Sequence, residues 1–154
     1  MIESVFMWLG KTAPGMFLAQ STAAFAATEA VHIVALSLVG GTILVVDLAV
    51  LGTLLKTTSV PVVVRQLRVL YVGALILVAL SGLLLVAAGP YKYLTNPLFP
   101  LKLALLAIAL VLQWILARRL RRREKPDRTA RALAAMSLVL WSCVVVAGRW
   151  LGLI

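Results

Sequence analysis

The sequence is poor in the residues that most enzymes and metal sites use. Its 154 residues include one cysteine, Cys143, one histidine, His32, and five acidic residues. A single cysteine excludes a disulfide within the chain, and one cysteine with one histidine cannot complete a zinc site of the Cys/His type. No glycine-rich phosphate motif follows a strand pattern. We find no catalytic constellation and therefore predict that the protein is not an enzyme.

Long apolar runs dominate what is present. The chain is 63% hydrophobic with a mean hydropathy of +1.08, whereas a soluble domain is about half apolar. Four runs reach the roughly 20 residues that a helix needs to cross a bilayer. The sequence therefore predicts an all-α integral membrane protein, a four-transmembrane-helix bundle with a short interfacial N-terminal helix.

The chain divides into an N-terminal segment and a membrane domain. Residues 1–20 are predicted to form an interfacial amphipathic segment, with a short helix over Met1–Gly10 that places Trp8 at headgroup depth. Residues 21–154 are predicted to form the transmembrane domain.

Capping and helix-breaking residues set the expected helix boundaries. Ser21 or Thr22 caps the first helix, Gly89 and Pro90 end the second, and Asn96-Pro97 begins the third. The segment Tyr91–Pro100 is expected to be a loop. The four membrane helices are expected over residues 22–55, 62–88, 97–123 and 129–150.

Basic residues are distributed unequally between the two sides of the expected bundle. One side carries eleven of them: Lys56, Arg65, Arg68, Arg118, Arg119, Arg121, Arg122, Arg123, Lys125, Arg128 and Arg131. The other side carries four: Lys11, Lys92, Lys102 and Arg149. Because basic loops stay in the cytoplasm, we expect a multi-pass protein of the bacterial inner membrane with both termini in the periplasm.

The first membrane helix carries a polar stripe. Between Ala23 and Leu55 the only ionisable side chains are Glu29, His32 and Asp47. An Asp at the centre of a membrane helix costs roughly 2.5 to 3.5 kcal/mol, so these residues are candidates for function. Glu29 and Asp47 are 18 residues apart, about five helical turns, and therefore share a face.

At the outer side, depth along the helices predicts a polar cluster. Glu29, Lys102 and Arg149 are expected at similar depth, with His32 one turn deeper. We interpret these four residues as an outward-facing site for an ion, a quinone headgroup or a cofactor, and His32 as the candidate for metal ligation or proton transfer. The alternative is that the charges only lock the helices together and that His32 is a hydrogen-bonded core histidine.

At the inner side, Asp47 approaches the level of Arg65 and Arg68. We expect a structural ion pair between Asp47 and one of these arginines. On the fourth helix Arg131, Ser142 and Arg149 share a face, and the site hypothesis requires that face to point into the bundle.

The cofactor stays open, with haem b and copper as candidates. A haem held by two axial ligands would need His32 together with Met136, or His32 from two chains across a dimer axis. Thiol and thioether ligands favour Cu(I), and Cys143 shares a helical face with Met136. That face is about 120° from Arg149, which disfavours a copper site at Cys143.

Three segments together resemble a known group of proteins. They are Glu29–His32 with Asp47, Asn96–Phe99 with Lys102, and Ser137–Trp150. They resemble a family of uncharacterised bacterial four-helix inner-membrane proteins, which in turn distantly resembles the membrane domain of copper resistance protein D (CopD). The resemblance implies an inner-membrane location and a link to periplasmic metal or redox chemistry.

The same resemblance singles out residues that the burial argument also found, namely Glu29, His32, Asp47, Lys102 and Arg149. The CopD proteins are larger and carry more histidines and methionines, so an independent copper path through this chain is not expected.

We therefore expect a small inner-membrane subunit or partner of a periplasmic redox or metal-handling system. One alternative is a structural or assembly subunit of a larger membrane complex, and a weaker one is an oligomeric ion or metal transporter. The expected partners are the lipid bilayer and other membrane or periplasmic proteins, or further copies of the chain. Nucleic acid is not expected, because no aromatic residues are interleaved in Arg118–Arg131 for bases to stack on.

Overall fold

The computed structural model describes residues 2–121 and 125–153, and the side chains of residues 3–121 and 125–148. Every regular element in these ranges is a helix. The helices are α1 (Ile2–Gly10), α2 (Ala13–Gln20), α3 (Thr22–Leu51), α4 (Val60–Ala88), α5 (Pro90–Thr95), α6 (Leu98–Arg121) and α7 (Arg128–Leu153). The four long helices, α3, α4, α6 and α7, are each long and apolar enough to cross a membrane. The prediction of an all-α protein with four membrane-spanning helices is confirmed, and the protein is a multi-pass membrane protein.

The first long helix begins where the sequence predicts and ends earlier. The Ser21 hydroxyl accepts a hydrogen bond from the Ala24 amide at 3.3 Å and so caps α3. The helix ends at Leu51, because Gly52 adopts a left-handed conformation with φ of 79°, which only glycine adopts without strain. The expected end near Leu55 was four residues too late.

The turn between α4 and α6 contains the short helix α5, where a loop was expected. Pro90 begins α5, since its missing N–H and fixed φ suit the first turn of a helix. The Asn96 side chain then accepts a hydrogen bond from the Leu98 amide at 2.9 Å, and α6 begins there as predicted. The third helix was expected to continue to about Arg123, but residues 122–124 lie outside the described part of the chain.

The side chain of one acidic residue, Asp127, contacts both the end of α6 and the start of α7. Asp127 Oδ1 accepts a hydrogen bond from the Ala130 amide at 2.9 Å and so caps α7. Its second oxygen, Oδ2, lies 2.7 Å from Arg119 Nη2 at the end of α6. The side chain therefore fixes the start of one helix against the end of the preceding one.

Helix α3 is the central helix of the bundle. It packs against α4 and α7, while α6 packs mainly against α7 and less extensively against α4. Helix α7 contributes a buried face on which three small residues are followed by two larger ones: Ala130, Ala134, Ser137, Trp141 and Val144. Small residues let helix backbones approach closely, and such packing is what holds helices together in lipid.

That buried face differs from the one expected. Arg131 and Ser142 are exposed, so the helical face that they share points away from the bundle. Arg149 was expected on the same face, but its side chain lies outside the described residues. The orientation of α7 is set by its small residues and Trp141, and not by its polar ones.

The N-terminal segment contains two helices, although one was predicted. Helix α2 packs against α4, and a Cβ on Gly15 would lie only 3.1 Å from the Ala87 carbonyl oxygen. The Phe6 ring of α1 stacks edge-on against Phe99, with 6.0 Å between ring centroids. The segment therefore packs against the ends of the long helices near Ala87 and Phe99, and its position at the membrane interface stays a prediction.

Candidate functional site

His32 is held against α4 by one hydrogen bond and one glycine. Its Nδ1 lies 2.8 Å from Ser81 Oγ, and Ser81 is only 3% exposed. The imidazole ring rests on Gly82, where an added Cβ would lie 3.1 Å from His32 Cε1. The lack of a side chain at residue 82 thus provides the space that the ring occupies.

The contacts of Ser81 determine which ring nitrogen carries the proton. Ser81 Oγ lies 2.6 Å from the carbonyl oxygen of Leu77, one turn earlier in α4. A carbonyl oxygen can only accept, and a serine hydroxyl has one proton to donate. Ser81 therefore donates to Leu77 and accepts from Nδ1–H of His32. In the neutral ring this leaves the lone pair on Nε2.

Lys102 and Glu29 lie near His32, and the charges of both act on its ring. Lys102 is half-buried and lies along α7, with its Nζ 3.4 Å from the position that a Cβ on Gly148 would occupy. Glu29 is exposed. Helices α3, α4, α6 and α7 therefore all contribute to the surroundings of His32.

The expected salt-bridged cluster forms only in part. Within the described part of the chain, Arg119–Asp127 is the only ion pair, so Glu29 and Lys102 share one end of the bundle without a direct contact. Arg149 follows Gly148, which lies beside Lys102, but nothing is described of its side chain.

Aromatic residues lie next to this group of polar residues. The Tyr93 ring packs against Phe99 with 5.2 Å between centroids, and Phe99 also contacts Phe6. Burial, and secondarily the Glu29 carboxylate, raise the pKa of Tyr93. Tyr93, in α5 outside the membrane helices, therefore keeps a phenol proton that it can donate.

At the inner side, the expected ion pair of Asp47 does not form. Asp47 is 0% exposed, and in the described structure neither carboxylate oxygen has a hydrogen-bond partner. Arg65 and Arg68 are both exposed. The expectation is wrong because the two arginines lie on the exposed surface of α4, whereas Asp47 lies beside Ser137 of α7.

Sequence reasoning missed the polar residues that do surround Asp47. Ser137 is fully buried and donates a hydrogen bond to Gln113 Oε1 at 3.0 Å. Gln113 is the one amide side chain within the apolar stretch of α6, and Ser137 lies in the small-residue stripe of α7. Those two signals were present in the sequence, but matching helix depths did not reveal which faces of α6 and α7 point inward.

A family model matches residues 2–154. The chain belongs to DUF6644, a family of unknown function. It matches no curated protein and no solved structure. Membership in an uncharacterised family was expected, and the more distant likeness to the CopD membrane domain stays a prediction.

The donor atoms of this DUF6644 chain do not complete a metal site. The described residues contain no group of three or more His, Cys, Asp or Glu side chains that could hold a metal ion. Cys143 is exposed and lines an open apolar groove with Leu98 and Val146.

Met136 cannot serve as a second haem ligand to His32 of the same DUF6644 chain. Met136 precedes Ser137, which lies at the level of Asp47. Asp47 is separated from His32 by fifteen residues of one helix, about 22 Å. Met136 therefore cannot complete a haem or copper ligand set with His32 of the same chain.

Proposed function

We propose that this DUF6644 protein is a small subunit or partner of a redox or metal-handling system at the periplasmic side of the bacterial inner membrane. In this proposal His32 is the residue that contacts the cofactor, metal or quinone headgroup. The observation that supports it is the chain of hydrogen bonds from His32 Nδ1 to Ser81 Oγ and on to the Leu77 carbonyl.

This arrangement has the chemistry of a ligand-binding histidine. Metal-ligating histidines almost always donate their second ring N–H to an oxygen acceptor, which fixes the tautomer and the ring orientation. Ser81 fulfils that role for Nδ1, and Nε2 keeps its lone pair. Lys102 adds a cation near the ring, which suits an electron-rich ligand such as a quinone carbonyl or a haem carboxylate.

The need for a partner follows from the count of donors. One chain has one histidine, and no three potential metal ligands cluster in the described ranges. We propose that the remaining bonds to a metal or haem come from a second copy or from another protein. This is why we propose a subunit or partner and not a self-contained carrier.

The competing hypothesis is an assembly subunit whose charges only hold the helices together. It predicts that the buried charges pair with each other. Glu29 and Lys102 form no ion pair in the described structure, and Lys102 instead lies against the bare backbone of Gly148. Among the described residues, these two charges are therefore not paired with each other.

The proposal is tested on the protein purified in mild detergent from membranes that contain its native partners. We would record the absorption spectrum and measure iron and copper per chain for the wild type, His32→Ala and Ser37→Ala. Ser37 is a matched control, because it is exposed on the same helix and bonds only to the Ile33 carbonyl.

We expect a haem band or a stoichiometric metal that is lost in His32→Ala and kept in Ser37→Ala. A colourless, metal-free wild-type complex that assembles equally well with His32→Ala would contradict the proposal and support the assembly subunit.

A further inference from the structure

Asp47 is a carboxyl group enclosed by the inner half of the bundle. It is 0% exposed, and neither oxygen has a hydrogen-bond partner among the described residues. Buried carboxylates are normally compensated by a cation or by several N–H donors. This side chain has neither in the described structure, so its charged form lacks the partners that burial demands.

No charged group of the neighbouring helices compensates Asp47. On α4 the two arginines are exposed, and the titratable Tyr71 packs in the outer half of the core. On α6, Arg119 bonds to Asp127. The other basic residues at this end of the described chain are all exposed: Lys56, Arg118, Arg121, Lys125, Arg128 and Arg131. Among the described residues, Ser137 of α7 lies beside the Asp47 carboxyl.

The direction of the Ser137 hydrogen bond indicates the protonation state of Asp47. Ser137 has one hydroxyl proton, and it donates that proton to Gln113 Oε1 at 3.0 Å. Toward Asp47 it therefore offers only lone pairs. A carboxylate would face those lone pairs unfavourably, whereas a carboxylic acid can donate its proton to them. A neutral Asp47 therefore suits an enclosure in which the described residues give a carboxylate neither a cation nor a hydrogen-bond donor.

We propose that Asp47, Ser137 and Gln113 form a proton-binding site inside the membrane, with Asp47 held as the neutral acid in the closed bundle. The three residues come from α3, α7 and α6, so the site exists only while these helices are packed together. Release of the proton requires water or a cation to reach the carboxyl group, and hence a separation of α7 from α3. This site lies about 22 Å along α3 from His32 and does not depend on the function proposed for His32.

The test uses aspartate labelled with ¹³C at the carboxyl carbon, and infrared spectroscopy of the full chain in lipid. The sequence contains two aspartates, Asp47 and Asp127, so Asp47 is the only labelled side chain in an Asp127→Asn variant. We expect an isotope-shifted band of a protonated carboxylic acid at neutral pH in the wild type and in Asp127→Asn. The band should be absent in Asp47→Asn. A spectrum of Asp127→Asn with only carboxylate bands would overturn the proposal.

A second measurement distinguishes a proton from a bound metal cation. Asn has nearly the shape of neutral Asp and can donate to Ser137, so Asp47→Asn should fold and keep its melting temperature within a few degrees. Neither protein should respond to the exchange of sodium for choline. If sodium raises the melting temperature of the wild type but not of Asp47→Asn, Asp47 is an ionised sodium ligand and the proposal is wrong.

Discussion

At the residue scale, the position of His32 depends on two small neighbours on α4. Ser81 fixes one ring nitrogen at 2.8 Å, and Gly82 leaves the space in which the ring lies. Interhelical hydrogen bonds in membranes contribute only about 0.6 kcal/mol on average, so the hydrogen bond alone would hold the ring loosely. The close packing against Gly82 is therefore as important as the hydrogen bond for the orientation of the imidazole.

Gly82→Ala tests this packing, with Gly73→Ala as its matched control on the same helix. An alanine is better than glycine in a helix by about 1 kcal/mol. Nothing lies within 4 Å of a Cβ at Gly73, so Gly73→Ala should be neutral or stabilising. Gly82→Ala places a methyl 3.1 Å from His32 Cε1 and should be less stable than the control by roughly 1 to 3 kcal/mol, as overpacking usually costs.

Unfolding in detergent micelles, followed by circular dichroism, measures the difference between the two variants. Equal unfolding free energies for Gly82→Ala and Gly73→Ala would mean that the ring does not rest on residue 82.

At the residue scale, the sequence was least informative about which side chains of different helices lie next to each other. The expectation that Glu29, His32 and Lys102 meet at one end could be made from helix depth alone. The side chain that lies beside Asp47 could not be predicted, because the depth of Asp47 along α3 matches that of Arg65 and Arg68 as well as that of Ser137. In a membrane, lipid-facing and core-facing surfaces are equally apolar, so periodicity does not reveal which way a helix is turned.

At the element scale, local contacts fix the ends of the helices, and only some of these contacts could be predicted from the sequence. Ser21 and Asn96 were recognised as start signals and act as such. Pro90 follows the end of α4 at Ala88, as expected, and also stands in the first turn of α5. Proline both breaks a preceding helix and suits the first turn of a new one, and the sequence analysis recognised only the first of these roles.

Asp127 provides a prediction at this scale. Its side chain caps α7 and bonds to Arg119. Loss of a cap typically costs about 1 kcal/mol and up to about 2 kcal/mol, while an exposed ion pair contributes about 0 to 1 kcal/mol. Asp127→Ala should therefore reduce the unfolding free energy by about 1 to 2 kcal/mol, and Asp127→Asn, which keeps the cap, by less than half of that.

Equilibrium unfolding of both variants in the same detergent gives the comparison. An Asp127→Asn variant as unstable as Asp127→Ala would assign the effect to the ion pair and not to the cap.

At the scale of the whole molecule, the distribution of basic residues determines the proposed orientation of the bundle in the membrane. The segment from Arg118 to Arg131, which includes the turn from α6 to α7, carries eight of the 15 basic residues, while His32 and Lys102 lie toward the other end. The basic end faces the cytoplasm if the positive-inside rule holds, and the polar site then opens to the periplasm. The proposed periplasmic role of His32 depends on this orientation.

Thiol labelling of intact cells tests the orientation. Cys143 is the only cysteine, so Cys143→Ser gives a cysteine-free background for Lys11→Cys and, separately, Lys125→Cys. A membrane-impermeant maleimide should label the variant with the cysteine at position 11, and should label position 125 only after the cells are permeabilised. The reverse pattern would place His32 toward the cytoplasm.

Nitrogen NMR can show whether His32 is an oriented imidazole with a lone pair on Nε2 for a ligand. Because the chain has one histidine, ¹⁵N-histidine labelling in lipid bilayers gives signals from His32 alone. We expect a neutral ring with the proton on Nδ1 and an unprotonated Nε2 in the wild type and in Ser142→Ala, whose hydroxyl bonds only to the Leu138 carbonyl. Ser81→Ala should give a mixture of tautomers. A wild-type ring with its proton on Nε2 would show that Ser81 does not orient the imidazole and that Nε2 has no lone pair for a ligand.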